Sequence, residues 1–222
     1  MRPQSYAIRI REDGEGKTIT VSSADPTGAM YGGLDLVEAI RTDTLATIGD
    51  VDLAPHILRR GIKFNLPLDL RKPTYSEPSD VAQKNMPEMW EMGFWATFLD
   101  DLARHRYNIL SLWLLHPFPG LVKVPEFPDV ALDDVWRTQV PFDDSFGYNG
   151  HDYVRPPMLD DYEVIKQITI EEKITFWRDV MQYAADRGAE VYLLTWNAFF
   201  FGAVGKHGII CRRTRQGILL PR

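Results

Sequence analysis

The chain has 222 residues, 45% of them hydrophobic and 12% aromatic, which is enough apolar material for a packed core. It carries 31 acidic and 25 basic residues, and this acidic balance argues against nucleic acid as the main partner. The only cysteine, Cys211, excludes an internal disulfide and a cysteine-based metal site. The five histidines show no metal-ligand spacing and no apolar run is long enough to span a bilayer, so we expect no metal, no cofactor and no membrane partner.

The amino-terminal segment predicts a small α+β domain over residues 1–54. The alternating run YAIRI from Tyr6 and the later run TITV flank the turn-forming stretch Asp-Gly-Glu-Gly, and together they predict a β-hairpin. Asp25 followed by Pro26 predicts the start of a helix, because aspartate caps helices and proline is tolerated in the first turn. We interpret residues 42–55 as a connector.

The remainder of the chain predicts strands that alternate with helices. Three candidate strands follow one another: RRGIKFNL at 59–66, ILSLWLL at 109–115 and EVYLLT at 190–195. The second is nearly all apolar, which predicts a strand that is buried on both faces. A capping box of Thr169 and Glu172 predicts the start of a helix, and Gly188 predicts its end.

This pattern favours an α/β fold in which residues 55–210 form the first three or so βα units of a TIM-type (β/α)8 barrel. An open doubly wound sheet is the alternative, but no glycine-rich phosphate loop follows any of the strands. Barrel chemistry lies at the carboxyl ends of the strands. That rule gives a shortlist of candidate site residues: Asn65, Asp69, Trp113, His116, Trp196 and Asn197.

Several segments together carry a resemblance to a known family. They are YAIRI, TITVSSADPTGAMYGGLDLVEAI, PHILRRGIKFNLPLD, LARHRYNILSLW and VYLLTWN, within the range from about Tyr6 to Gly208. They resemble the accessory α+β domain and the first barrel strands of glycoside hydrolases of the β-N-acetylhexosaminidase and α-glucuronidase type, in which the Gly-Ala-x-Tyr-Gly turn and the Arg-Gly pair recur together. The resemblance implies an enzyme that hydrolyses O-glycosyl bonds of a carbohydrate substrate.

The resemblance also implies roles for individual residues. Arg60, in the Arg-Gly pair, matches an arginine that binds sugar hydroxyls, a task that suits the donor fork of a guanidinium. The other residues expected to shape the sugar subsite are Asn65, Trp113, His116, Trp196 and Asn197. Alternatives stay open: Arg60 pairs with a carboxylate such as Asp69, the tryptophans belong to the core, or His116 only caps a strand end.

No catalytic residue is assigned from the sequence. Glycoside hydrolysis normally needs two carboxyl groups, although hexosaminidase-like enzymes can use the acetamido group of the substrate as nucleophile. The acidic candidates lie in the long connection 117–168, where such a run predicts a solvated loop: Asp133, Asp134, Asp143 and Asp144. We interpret this connection as an active-site lid or, equally, as a capping subdomain.

The end of the chain differs from the rest. After Glu190 there is no acidic residue, whereas five basic residues follow it. We interpret residues 211–222 as a tail foreign to the fold, with a basic nucleic-acid-binding tail as the alternative. A complete barrel takes roughly 250 residues, so we expect a truncated chain whose exposed barrel edge favours self-association.

Two further hypotheses remain beside a hydrolase. A carbohydrate-binding or interaction fragment without catalysis is the main alternative, because no catalytic acid can be identified. An amidohydrolase barrel is disfavoured, because no His-x-His pair follows the first candidate strand. The compartment stays open: cytoplasmic if the amino terminus is intact, and secreted or periplasmic if it is not.

Overall fold

The computed structural model describes residues 2–14, 16–71, 80–114, 120–141 and 156–195. Within them the helices are α1 Pro26–Arg41, α2 Asp80–Asn85, α3 Met92–Arg104, α4 Pro156–Asp160 and α5 Ile170–Ala185. The strands are β1 Tyr6–Asp13, β2 Gly16–Ser23, β3 Val51–Leu53, β4 Gly61–Asn65, β5 Ile109–Trp113, β6 Asp134–Thr138, β7 Tyr162–Gln167 and β8 Glu190–Leu194. They form three sheets with the orders β2-β1-β3, β4-β5-β8 and β6-β7. In this part of the chain no helix is long and apolar enough to cross a membrane.

Contacts divide the chain into two compact units. The first unit comprises Met1–Ile62, Phe98–Leu110 and Ala184–Glu190, and the second comprises Lys63–Thr97, Ser111–Tyr183 and Val191–Arg222. The mixed α/β class expected from the sequence is observed. The domain boundaries at residues 54 and 210 stay predictions.

The first unit contains the predicted hairpin and one strand that the sequence did not indicate. β1 and β2 pair antiparallel from Tyr6 opposite Ser23 to Asp13 opposite Gly16, which confirms the hairpin. The predicted connector 42–55 was wrong in part, because it contains β3, which pairs with the other edge of β1. Val51 explains this pairing, since it packs against the buried cluster around Ile8.

The helix that follows the hairpin begins as the sequence predicts. Oδ1 of Asp25 accepts a hydrogen bond from the Gly28 N–H at 2.8 Å, which confirms the cap. The two glycines of the Gly-Ala-x-Tyr-Gly turn, Gly28 and Gly32, lie four residues apart and therefore share one face of α1. A Cβ at Gly28 would collide with the Ser5 carbonyl oxygen, and one at Gly32 would lie 2.5 Å from Cγ1 of Val21. Glycine is needed here because the helix backbone lies so close to its neighbours.

Two neighbouring glycines in α1 allow a matched test of this close approach. Gly32→Ala is expected to cost about 1–3 kcal/mol of unfolding free energy, because its Cβ overpacks the contact with Val21. Gly33→Ala is expected to stabilise by about 0.5–1 kcal/mol, because a Cβ there meets nothing within 4 Å and alanine favours helix. Urea unfolding measures both, and equal effects of the two substitutions would contradict the close approach.

The predicted strands form a parallel sheet. At one end the Ile109 N–H donates to the Arg60 carbonyl at 3.0 Å, and further along the Leu66 N–H donates to the Trp113 carbonyl at 3.1 Å. Both partners advance in the same direction along the chain, so β4 and β5 run parallel. The Glu190 N–H donates to the Asn108 carbonyl and the Leu114 N–H donates to the Leu194 carbonyl, both at 3.0 Å, so β5 and β8 also run parallel.

The expectation that β5 is buried on both faces was wrong. Its residues alternate, with Leu110 and Leu112 fully buried and Ile109, Ser111 and Trp113 only half-buried. On the buried face of the sheet, the ring of Phe64 contacts the rings of Phe94 and Trp95. The continuous apolar composition of β5 therefore does not reveal that one face of the strand is packed and the other is partly open.

The helix before β8 has the predicted start and end. The Thr169 N–H donates to Oε2 of Glu172 at 2.8 Å, and the Glu172 N–H donates to Oγ1 of Thr169 at 3.3 Å, which confirms the capping box. Gly188 has a φ of +70° and follows the helix as predicted.

The long connection before that helix is partly ordered into β6 and β7, which pair antiparallel with a bulge between Val135 and Trp136. The expectation of a solvated loop is wrong for Asp134, which is the half-buried first residue of β6. It is confirmed for Asp133, an exposed loop residue whose Oδ1 accepts from the Ile170 N–H at 2.9 Å. Asp143 and Asp144 lie outside the described residues.

Candidate functional site

Two predicted site residues, Asn65 and Trp113, are neighbours at the carboxyl end of the parallel sheet. The bond from the Leu66 N–H to the Trp113 carbonyl sets Asn65 beside Trp113. The bond from the Leu114 N–H to the Leu194 carbonyl, at 3.0 Å, sets Trp113 beside Leu194. An amide, an indole and an aliphatic side chain thus form a row across the partly open face.

A lysine lies against the indole of this row. Nζ of Lys63 is 3.4 Å from the centroid of the Trp113 ring, a close cation–π contact. Lys63 and Asn65 are both exposed. The ammonium supplies hydrogen-bond donors and positive charge, and the Asn65 amide supplies both a donor and acceptors. Together with the indole, they offer both polar and apolar contacts to a polyhydroxylated molecule.

Arg60, a third predicted site residue that the structure describes, has protein acceptors for all of its donors. Nε donates to the Arg106 carbonyl at 2.7 Å, and Nη2 donates to Oε1 of Gln4 at 2.8 Å and to the Tyr31 hydroxyl at 3.2 Å. Nη1 donates to the carbonyls of Ile57 and Leu58. A contact of Arg60 with sugar stays a prediction, and it would require the guanidinium to exchange one of these bonds.

The motifs that carry the family resemblance meet in this same network of the first unit. Tyr31 belongs to the Gly-Ala-x-Tyr-Gly turn, Arg60 to the Arg-Gly pair, and Arg106 and Asn108 to the segment LARHRYNILSLW. The Asn108 side chain accepts from the Arg60 N–H and donates to the Leu58 carbonyl, both at 2.8 Å. The guanidinium of Arg106 pairs with Asp35. Hydrogen bonds within the first unit therefore join these three segments of the chain.

The sequence analysis missed a buried ionic cluster in the second unit. Oδ1 of Asp69 accepts from Nε of Arg71 at 2.8 Å, and Oδ2 accepts from Nη2 at 2.7 Å, with both side chains only 2% exposed. The same Nη2 donates to Oδ1 of Asp134 at 2.6 Å. The alternative that Asp69 pairs with Arg60 was wrong, because Arg71 occupies both carboxylate oxygens.

The cluster shifts the ionisation of its members. Burial lowers the pKa of the Arg71 guanidinium, but the hydrogen bonds to Asp69 and Asp134 outweigh that effect and raise the pKa above its ordinary value. Burial likewise raises the pKa of Asp134, but the bonds from the Trp136 indole and from Arg71 outweigh it and hold that pKa below its ordinary value. Asp134 and Arg71 therefore stay charged at neutral pH.

Lys173 is the second buried cation of this region. It is 1% exposed, and Nζ donates to the carbonyls of Leu132 and Asp134, both at 2.7 Å. Burial lowers its pKa to about 8 from the usual 10.5, and the nearby Asp69 carboxylate opposes that shift only in part. Between pH 8 and 10.5 the unfolded chain keeps a proton that the folded chain releases.

This difference predicts how stability depends on pH. Because the unfolded state binds more protons in that window, the unfolding free energy contributed by Lys173 rises with pH, by on the order of 3 kcal/mol. Lys173→Met removes the titration. Urea unfolding from pH 7.5 to 10 is expected to show a steeper rise for the unmodified chain than for Lys173→Met, and parallel curves would contradict the prediction.

The remaining predicted site residues, His116, Trp196 and Asn197, lie outside the described residues. At the carboxyl end of the partly open face the described side chains are Lys63, Asn65, Ser111, Trp113, Tyr192 and Leu194, and none of these six is a carboxylate. Glu190 lies on the same face at the amino end of β8, where it pairs with Arg59. The residues that the structure describes also hold no group of three side chains able to bind a metal.

Known structures with similarity to this chain include three glycoside hydrolases. A GH138 enzyme targeting pectin rhamnogalacturonan II matches 90% of this chain with 19% identity and a TM-score of 0.56, and the chain spans 19% of that structure. An exo-β-N-acetylglucosaminidase from Vibrio harveyi matches 87% of the chain and 25% of its own length, with 14% identity and a TM-score of 0.47. A β-N-acetylhexosaminidase from Bacteroides fragilis matches 87% of this chain and 31% of its own length, with 15% identity and a TM-score of 0.40.

Only the first of these likenesses shows the fold, because the other TM-scores lie below 0.5. No family model and no curated protein matches the chain.

Proposed function

We propose that the chain is part of a glycoside hydrolase and binds a carbohydrate at the carboxyl end of its parallel sheet. The likeness to the GH138 enzyme, over 90% of this chain, carries the proposal. A shared fold supports a reaction only by analogy. The chain spans about a fifth of that enzyme, so the activity of a whole enzyme belongs to the proposal as well.

The site supports a sugar ligand through three chemical features. The half-buried Trp113 indole offers apolar contact to the C–H groups of a sugar ring where Lys63 leaves it uncovered, and Asn65 offers a donor and acceptors for hydroxyls. The ammonium of Lys63 adds positive charge beside them. A uronic acid carries a carboxylate and an N-acetylhexosamine does not, so we propose that the site prefers the acidic sugar.

The test is a pair of binding and hydrolysis measurements. Calorimetric titrations with trigalacturonate and tri-N-acetylchitotriose are expected to show binding, tighter for trigalacturonate and weakened by salt. Trp113→Ala and Asn65→Ala are each expected to weaken the binding of both saccharides. Trp196→Ala and Asn197→Ala test the predicted residues after β8. If neither saccharide binds to the chain, the proposal is overturned.

A carbohydrate-binding fragment without catalysis is the second candidate. It is favoured because the described side chains around Trp113, at the carboxyl end of the partly open face, include no carboxylate, and glycosidases normally use two. Release of reducing sugar from pectic or chitin oligosaccharides separates the two candidates. Hydrolysis by the chain supports an enzyme, whereas binding without hydrolysis supports the fragment.

We further propose a small α+β domain at residues 1–54, a partial (β/α)8 barrel at 55–210, and self-association through the barrel edge. The parallel order β4-β5-β8 supports the barrel, with β8 at the edge of that sheet. Leu193 and Leu194 on β8 are 39% and 46% exposed, which supports association. Light scattering is expected to show a dimer or larger species, which charged substitutions of these leucines disperse.

A further inference from the structure

The antiparallel strands β6 and β7 carry a partly exposed aromatic stack that the proposed site does not use. The rings of Trp136 and Tyr162 are parallel to within 8°, with centroids 3.8 Å apart. The guanidinium carbon of Arg71 lies over the Trp136 ring at 4.1 Å. One face of an indole cannot hold both groups at these distances, so Arg71 and Tyr162 lie on opposite faces of Trp136.

This stack is held in place from its buried side. The Trp136 indole N–H donates to Oδ2 of Asp134 at 2.8 Å, and its backbone N–H donates to Oδ2 of Asp69 at 3.2 Å. Arg71 bonds both of these carboxylates. The ring planes are thus fixed before any ligand arrives, which reduces the entropy lost on binding.

The outer side of the stack is open to solvent. Tyr162 is 40% exposed, and Val164, which shares its face of the strand, is 43% exposed. The bulge in β7 puts Lys166 opposite Val135, so this face does not continue to Lys166. Successive residues on one face are roughly 7 Å apart. A flat aromatic surface and an aliphatic neighbour therefore lie side by side over about the width of one sugar ring.

We propose that Tyr162, supported by Trp136, is a stacking platform for one pyranose ring of a bound saccharide, separate from the row around Trp113. A pyranose has C–H groups on its faces, which match the flat ring of Tyr162 and the aliphatic side chain of Val164 beside it. The inference rests on the proposed function, because it assumes a carbohydrate ligand.

The test compares substitutions at Tyr162 in calorimetric titrations with trigalacturonate and tri-N-acetylchitotriose. Tyr162→Ala is expected to weaken the binding of at least one saccharide about tenfold, because the flat surface is lost. Tyr162→Phe keeps the ring and is expected to bind within about twofold of the unmodified chain. Phe127→Ala removes an aromatic side chain that is 59% exposed elsewhere and is expected to change nothing.

The outcomes separate the platform from the proposed function. Binding by Tyr162→Ala equal to that of the unmodified chain, with Trp113→Ala weakened, overturns the platform and leaves the function standing. No binding by the unmodified chain overturns both. If Tyr162→Ala unfolds, which circular dichroism shows, Tyr162→Leu takes its place, because leucine keeps apolar cover over Trp136 and lacks the flat face.

Discussion

Asp69→Asn is expected to lower the unfolding free energy by about 3–5 kcal/mol, one of the two largest losses we expect from a single substitution in this chain. Asp69 is 1% exposed and its carboxylate holds two nitrogens of the buried Arg71. The amide keeps the shape of the side chain but removes the charge and one acceptor oxygen, so Asp134 is then the carboxylate that still pairs with the guanidinium. Urea or guanidinium unfolding at neutral pH measures the loss.

A surface ion pair provides the control. Oδ1 of Asp101 and Nη1 of Arg104 are 2.6 Å apart, but the two side chains are about half exposed, at 52% and 51% respectively. Asp101→Asn is therefore expected to change stability by no more than about 0.5 kcal/mol. The double substitution Asp69→Leu with Arg71→Met is expected to cost less than Asp69→Asn, because it removes the unpaired charge together with its partner. Equal costs for Asp69→Asn and Asp101→Asn would contradict the buried cluster.

Trp95→Ala is expected to cost about 3–5 kcal/mol, because it leaves a large cavity in the core of the second unit. Trp95 is fully buried, and its ring has edge contacts with the rings of Phe64, Phe94 and Trp177. Thermal and urea unfolding measure the loss. Phe127→Ala, at a side chain that is 59% exposed, is expected to change stability by no more than about 0.5 kcal/mol and serves as the control.

Phenylalanine substitutions separate the packing of these indoles from their hydrogen bonds. The Trp95 indole N–H donates to the Met89 carbonyl at 3.0 Å, whereas the buried Trp177 N–H has no acceptor among the described residues. Trp95→Phe is therefore expected to cost about 1 kcal/mol more than Trp177→Phe. A larger cost for Trp177→Phe would show that its N–H is satisfied in solution.

Local structure was predictable where neighbouring residues in the sequence make the bonds. The cap at Asp25 and the box of Thr169 and Glu172 each join atoms three residues apart, so the pattern alone contains the partners. The hairpin and the three parallel strands followed from side-chain periodicity in the same way. By contrast β3 is only three residues long, and its pairing with β1 spans about forty residues.

The candidate site was predictable only in part. The rule that chemistry lies at the carboxyl ends of parallel strands selected Asn65 and Trp113, which the structure places side by side. The rule did not predict the contact of Lys63 with the Trp113 ring, because that contact depends on which residues of β4 and β5 lie opposite each other. Asp69 was selected by the same rule, yet the structure shows it bound to Arg71.

By itself, the sequence determined the hairpin, the capped starts of two helices and the position of the parallel strands, because periodicity and capping act over a few residues. Only the tertiary structure decided which charges are buried together. Asp134 meets Arg71 across 63 residues, and Gln4 meets Arg60 across 56. The packing of whole elements determines such partners, since an Asp or Arg in the sequence is equally compatible with a solvated loop and a buried ion pair.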